Sequence, residues 1–126
     1  MKTLRVGIAS YEQMKARTLA IARGEYTPAA NEPKVWFRSA ESFARVLSDR
    51  NRALLGIIAE STPESLARLA ELTGRQKSNL SRTLKTMERY GFVQLNRGAR
   101  GSMIPRVPYQ RISLTLPLSK PGREAA

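Results

Sequence analysis

Ser78, Arg82, Lys85 and Arg89 follow one another at steps of four, three and four residues, with Ser81 beside them. Advanced by about 100° per residue, that spacing collects them on one side of a helix. Leu80, Thr83, Leu84 and Met87 collect on the opposite side. One side can therefore be buried while the other stays polar and cationic. An outward guanidinium at Arg82 can give two hydrogen bonds to guanine O6 and N7. The amide of Asn79, at the edge of the same side, can pair with adenine or bond backbone. Ser78 and Ser81 suit phosphate or water, and Lys77, Lys85 and Arg89 suit the phosphate backbone and its field. The plain alternative is a solvated charge face of the kind most surface helices carry.

The flanking residues decide between these readings. Ser65 can cap a helix of about two turns, with Leu66, Leu69, Ala70 and Thr73 along one side and Gly74 at its end. A tight turn at 73–76 leads into the basic helix, spanning 76–90. Gln76 stands at its cap position and is a poor cap, although its amide can reach a phosphate or base. Arg75, in the turn, can anchor phosphate or cover the helix junction with its stem. Gly91 stops the helix. Residues 92–96 (FVQLN) then suit a strand, 97–101 (RGARG) a turn and 102–105 (SMIP) a returning strand. Two short helices, a basic second helix and a hairpin with an arginine-bearing tip make the pattern of a winged helix-turn-helix. Its tip arginines, Arg97 and Arg100, would follow phosphate or enter the adjacent minor groove.

The charge distribution favours a polyanion. Of the formal net charge of +12 on 126 residues, +8 falls between positions 75 and 111, where nine basic side chains meet one acid, Glu88. Clustered cations attract phosphate and gain from counterion release. The chain has no cysteine and no histidine, which excludes disulfides and thiolate or imidazole metal sites. Asp49 is the sole aspartate, so neither an imidazole-assisted nucleophile nor an aspartate-rich metal cluster can be assembled. No enzyme and no cofactor are expected. Aromatic residues make up 6%, with no aromatic-rich strand to stack RNA bases. The first residues lack the apolar core of a secretory signal, and no apolar run approaches a membrane span of about 20 residues. A cytoplasmic protein without membrane contact is the expectation.

Outside this region, Leu4, Val6 and Ile8 alternate with Arg5 and Gly7, as a half-buried strand does. Ser10 can cap a helix from 11 to 23, ended by Gly24 and striped weakly by Met14, Thr18, Ile21 and Ala22. Residues 25–33, with two prolines, form a loop. Residues 34–38 (KVWFR) suit a second short strand, with Trp36 in core or sheet packing. Ser39 can cap a helix carrying Phe43, Val46 and Leu47. Ser48 or Asp49 can cap the next, 50–60, with Leu54, Leu55 and Ile58 inward. Residues 61–64 connect. Residues 110–116 alternate again, with Ile112, Leu114 and Leu116 on one side. This strand and the first, with or without 35–37, should form a small sheet. Residues 117–126 should fray.

The expected fold class is α+β: a winged helix-turn-helix with an additional N-terminal strand and helix, and a C-terminal strand that completes a small accessory sheet. The expected domains are an N-terminal strand-helix-strand arm at 1–38, a DNA-binding domain at 39–109, and a C-terminal strand and tail at 110–126.

Residues 66–93, LARLAELTGRQKSNLSRTLKTMERYGFV, resemble the helix-turn-helix of MarR-type winged-helix regulators. In that pattern Ser-Asn-Leu-Ser-Arg-x-Leu, here 78–84, opens the recognition helix. Met-Glu-x-x-Gly-Phe-Val, here 87–93, closes it and leads into the wing. The wider layout resembles a small prokaryotic family of DNA-binding proteins described as antitoxins. Its members share a Met-Lys-Thr-Leu-x-Val strand, a Ser-Ala-Glu helix start and an alternating last strand, here 1–6, 39–43 and 111–116. The long terminal dimerisation helices of MarR-type proteins are missing. The resemblances imply a transcriptional regulator of double-stranded DNA. The shortness of one reading module implies a homodimer on a palindromic site. The alternative is an antitoxin that grips a toxin protein through its terminal strands and regulates its own operon.

Overall fold

The computed structural model of the chain describes residues 2–118. The fold is α+β, and the described residues form five α-helices, a three-stranded sheet and a two-stranded sheet. The described residues divide into two compact units, Val46–Arg111 together with Lys2, and Thr3–Arg45 together with residues 112–118. The sequence suggested breaks after 38 and 109; the observed division leaves the terminal strands in the same unit. Among the described residues no helix is long and apolar enough to cross a membrane.

The Thr3–Arg45 unit is built on β1 (Thr3–Ile8), α1 (Tyr11–Ala22) and β2 (Val35–Phe37). β1 and β2 run parallel, with Val6 beside Val35, Gly7 beside Trp36 and Ile8 beside Phe37. Parallel neighbours need a crossover, and α1 supplies it. Ser10 and Gln13 form a capping box at its start. The last strand, β5 (Arg111–Thr115), lies on the other side of β1, giving the order β2-β1-β5. Leu4, Val6, Ala9 and Phe37 are the buried apolar residues of this unit. α2 (Ala40–Val46) follows Ser39, whose hydroxyl accepts the Ser42 N–H at 3.0 Å, and Phe43 packs edge-on against Phe37 at 5.5 Å.

The weak stripe on α1 stays weak. None of its residues is buried; Met14 and Ile21 are half-buried, Thr18 and Ala22 exposed. Thr18 turns its hydroxyl back to the Met14 carbonyl at 2.9 Å. The tie between this helix and the 25–33 loop is instead Arg17. It pairs with Glu32 at 2.8 Å and lies over the rings of Tyr26 and Trp36 at 6.0 and 5.4 Å. No sequence pattern marks that cluster.

In the other unit, Ser48 starts α3 (Asp49–Ser61) by accepting the Asn51 N–H. α3 ends on Thr62, left-handed at φ 42°. Ser65 starts α4 (Leu66–Thr73) by accepting the Arg68 N–H at 3.1 Å. α5 (Lys77–Arg89) follows after Gly74, Arg75 and Gln76. Leu54, Leu55 and Ile58 of α3, Leu66 and Leu69 of α4, and Leu80, Leu84 and Met87 of α5 are the buried stripes of three amphipathic helices.

The end of α5 sets the course of everything after it. Gly91 takes φ 83°, a conformation that costs a residue with a Cβ. Its N–H reaches the Glu88 carbonyl and the Phe92 N–H reaches the Met87 carbonyl, the paired bonds of a Schellman stop. The stop turns Phe92 and Val93 into the core, at 1% and 2% exposure. They were expected as the first strand residues; the strand, β3 (Gln94–Arg97), begins only after them. β4 (Met103–Arg106) returns antiparallel, one residue later than expected, with Leu95 opposite Pro105 and Asn96 opposite Ile104. Arg106 donates to the Pro63 carbonyl at 2.7 Å and so ties the hairpin to the α3–α4 connector.

The alternation over 110–116 is regular but does not lead to burial: Leu114 in β5 and Leu116 after it are exposed. The frayed tail expected at 117–126 falls, from 119 on, outside the described residues.

Candidate functional site

The amphipathic division of α5 fixes what it offers to the outside. Leu80, Leu84 and Met87 are fully buried. That orientation leaves Lys77, Ser78, Asn79, Arg82, Lys85 and Arg89 exposed, with Ser81 half-buried at their margin. Thr83 does not share the full burial of its leucine neighbours and is only half-buried. Its hydroxyl donates to Asn79 Oδ1 at 3.4 Å, which holds the Asn79 side chain along the helix. Asn79, Arg82, Thr83 and Thr86 line a shallow surface depression. Thr86 lay outside the candidate set; its place two helical turns beyond Asn79 is the signal that could have found it.

The start of α5 is chemically open. Gln76 occupies the cap position with extended backbone, φ −70° and ψ 142°, and makes no capping hydrogen bond. The first-turn N–H groups thus lack the side-chain acceptor that Ser48 and Ser65 supply to α3 and α4. Lys77 stands in that first turn with no acidic residue, against the preference of the helix dipole. Both features favour an anion from outside.

Arg75 differs from the others. Its guanidinium donates to the Arg50 carbonyl at 3.1 Å and to Asn51 Oδ1 at 3.5 Å. Its own N–H is held by Thr73 Oγ1 at 3.2 Å, and that hydroxyl donates to the Leu69 carbonyl. Desolvation, and then the neighbouring Arg50 charge, lower its pKa from the usual arginine value. Of the two roles open to Arg75 in the sequence, the junction role is the one whose contacts are in place.

At the hairpin tip, Arg97 ends β3 and Arg100 sits in a single 3-10 turn, Ala99–Gly101; both are exposed. Arg100 is left-handed at φ 58°, a conformation that costs a non-glycine residue about 1–2 kcal/mol. The turn is held by Gly98 N–H to the Ser102 carbonyl at 2.7 Å and Ser102 Oγ to the Ala99 carbonyl at 2.9 Å.

Ion pairing separates these cations from the rest. Among the described residues the ion pairs are Arg17–Glu32, Arg52–Asp49 and Arg68–Glu71. Lys77, Arg82, Lys85, Arg89, Arg97 and Arg100 take part in none of them. Exposed, unneutralised cations on one helix and one hairpin of the same unit repel one another and supply a field for an anionic ligand. No group of three or more His, Cys, Asp or Glu is placed to hold a metal ion among the described residues.

One family model, HVO_A0114, matches residues 46–114, more than half of the 126-residue chain. No curated protein and no solved structure matches the chain.

Proposed function

The chain belongs to the HVO_A0114 family, and we propose that its three-helix and hairpin unit is a winged helix-turn-helix that binds double-stranded DNA sequence-specifically. In this reading the protein is a prokaryotic transcriptional regulator that works as a homodimer. α5 enters the major groove. Arg82 reads a base edge, and Asn79, in the depression it shares with Thr83 and Thr86, reads beside it. Lys77, Lys85 and Arg89 engage phosphates, as do Ser78, Ser81 and the open first turn of α5. Arg97 and Arg100 extend the contact to the backbone or minor groove beyond. Arg75 holds the turn between the helices so that α5 keeps its angle. Family membership supports the extent of the unit and not its role. The observation that carries the proposal is the set of exposed cations on α5 and the tip, which no acid of the described residues neutralises.

The test is selection of bound sequences from a random duplex pool at a stated salt concentration. Enrichment of a symmetric motif is the expected result, and its absence would remove sequence-specific reading. The second reading, an antitoxin that holds a toxin through its terminal strands, draws on exposed Leu114 of β5 and Leu116 just after it. Co-purification with the product of a neighbouring gene tests it.

A further inference from the structure

The Thr3–Arg45 unit exposes Tyr11 and Leu19 on α1, and a run of leucines in and just after its last strand. The order β2-β1-β5 leaves two outer strands. β2 is three residues long and Pro33 stands two residues before it, so it is a short edge guarded by proline. β5, at five residues, is longer, and its proline, Pro117, stands two residues beyond its end. From Ile112 to Leu118 (ISLTLPL) there is no charged residue, and Leu114 and Leu116 are 41% and 55% exposed. Natural edge strands usually carry a lysine, a proline or a bulge to prevent pairing. In β5 such residues stand only at the margins, Arg111 before residues 112–116 and Pro117 after them.

We propose that β5 pairs antiparallel with β5 of a second copy about a twofold axis at Leu114, joining the two three-stranded sheets into one. The residue pattern favours this occupant. An isologous contact must be self-complementary. Centred on Leu114, the pairing sets Leu114 against its own copy, Ile112 against Leu116 and Ser113 against Thr115, so apolar meets apolar and hydroxyl meets hydroxyl. Arg111 falls opposite Pro117, far from the other Arg111. Pro117 cannot donate to the ladder and ends it. Charge points the same way. Two copies of a chain of net charge +12 approach most easily through a stretch without charge, whereas an acidic partner would find nothing there to pair with. This interface deepens the homodimeric reading above and rests on it, but it requires no DNA.

The experiment is done on the full chain without DNA. Sedimentation equilibrium at tens of micromolar should return twice the 14.1 kDa chain mass, and Leu114→Lys should return the single mass with an unchanged circular-dichroism spectrum. Because the chain has no cysteine, a second variant tests the register directly. Facing residues of antiparallel strands lie about 4.5–5.5 Å apart at Cα, within disulfide reach. Leu114→Cys should therefore crosslink to its copy under mild oxidation. Ile112→Cys, roughly 14 Å from its equivalent, should not. A single mass for the parent chain, association only with a different protein, or equal crosslinking at 112 and 114 would overturn the pairing. DNA selection that succeeds with a monomer would reject this interface and leave DNA binding standing. A crosslinked dimer that enriches no sequence would do the reverse.

Discussion

The two units use arginine in opposite ways. In the Thr3–Arg45 unit, Arg17 is turned inward to Glu32, Tyr26 and Trp36, and Arg38 lies over the Tyr11 ring at 6.0 Å. In the Val46–Arg111 unit, Arg82, Arg89, Arg97 and Arg100 point into solvent without an acid. The cores explain the difference. Three amphipathic helices, Phe92 and Val93 give the second unit a full apolar interior, so its stability does not depend on the charged side chains of α5 and the tip. The first unit buries four apolar residues and none from α1, so polar and aromatic contacts must hold its crossover helix and loop. The unit rich in core uses Arg75 and Arg106 as ties and leaves the cations of α5 and the tip free for a ligand; the unit poor in core turns Arg17 inward and gains from a covered edge.

Core substitutions should break this comparison most severely. Leu80→Ala should cost about 2–5 kcal/mol in urea denaturation, while Leu19→Ala, on exposed α1, should stay within about 0.5 kcal/mol. Equal costs would mean that α1 is as well packed as α5. Next comes an exchange of effects between two arginines. Arg82→Ala should weaken specific DNA binding by about 1–3 kcal/mol, relax preference at one base position and leave stability within about 0.5 kcal/mol. Arg17→Ala should lower stability by about 1–3 kcal/mol and leave DNA affinity alone. Titration of an operator beside a denaturation curve for each variant separates the two; an affinity loss in Arg17→Ala would deny the division of labour. Removing both tip arginines should weaken all sequences alike by about 1 kcal/mol and reduce the salt slope by roughly two, and a parental slope would show that the tip does not touch phosphate. The smallest effect is expected at the cap. Gln76→Asp should raise stability by about 0.5–1 kcal/mol by supplying the missing acceptor, and should lower affinity by placing an anion where phosphate would sit.

What could be read from the chain alone was what local chemistry decides. Ser10 and Ser65 cap the helices that they were expected to cap, Ser48 rather than Asp49 caps α3, and Leu80, Leu84 and Met87 are inward as their spacing required. Residues 3–8, 35–37 and 111–115 do share a sheet, but its order and the parallel β1–β2 pairing depend on contacts between distant residues that no local pattern encodes. Phe92 and Val93 have strand propensity and were expected in the strand; the turn closed by Gly91 places them in the core instead. Thr62 in a left-handed cap runs against the preference of a β-branched residue. The outward direction of Arg82, Lys85 and Arg89 followed from helical phase. Arg75 was open between two roles, because only coordinates reveal that Arg50 and Asn51 lie within its reach.

The pairing of Gly7 with Trp36 makes one unit observable by itself. The indole lies where a side chain at position 7 would begin: a Cβ there would be 2.5 Å from the ring. Trp36 is also the single tryptophan of the chain. Its emission is therefore a spectroscopic label confined to the Thr3–Arg45 unit, whereas far-ultraviolet dichroism is dominated by helices of the other. Heating the unmodified protein while following both signals will tell, without any added probe, whether the halves melt together or in turn.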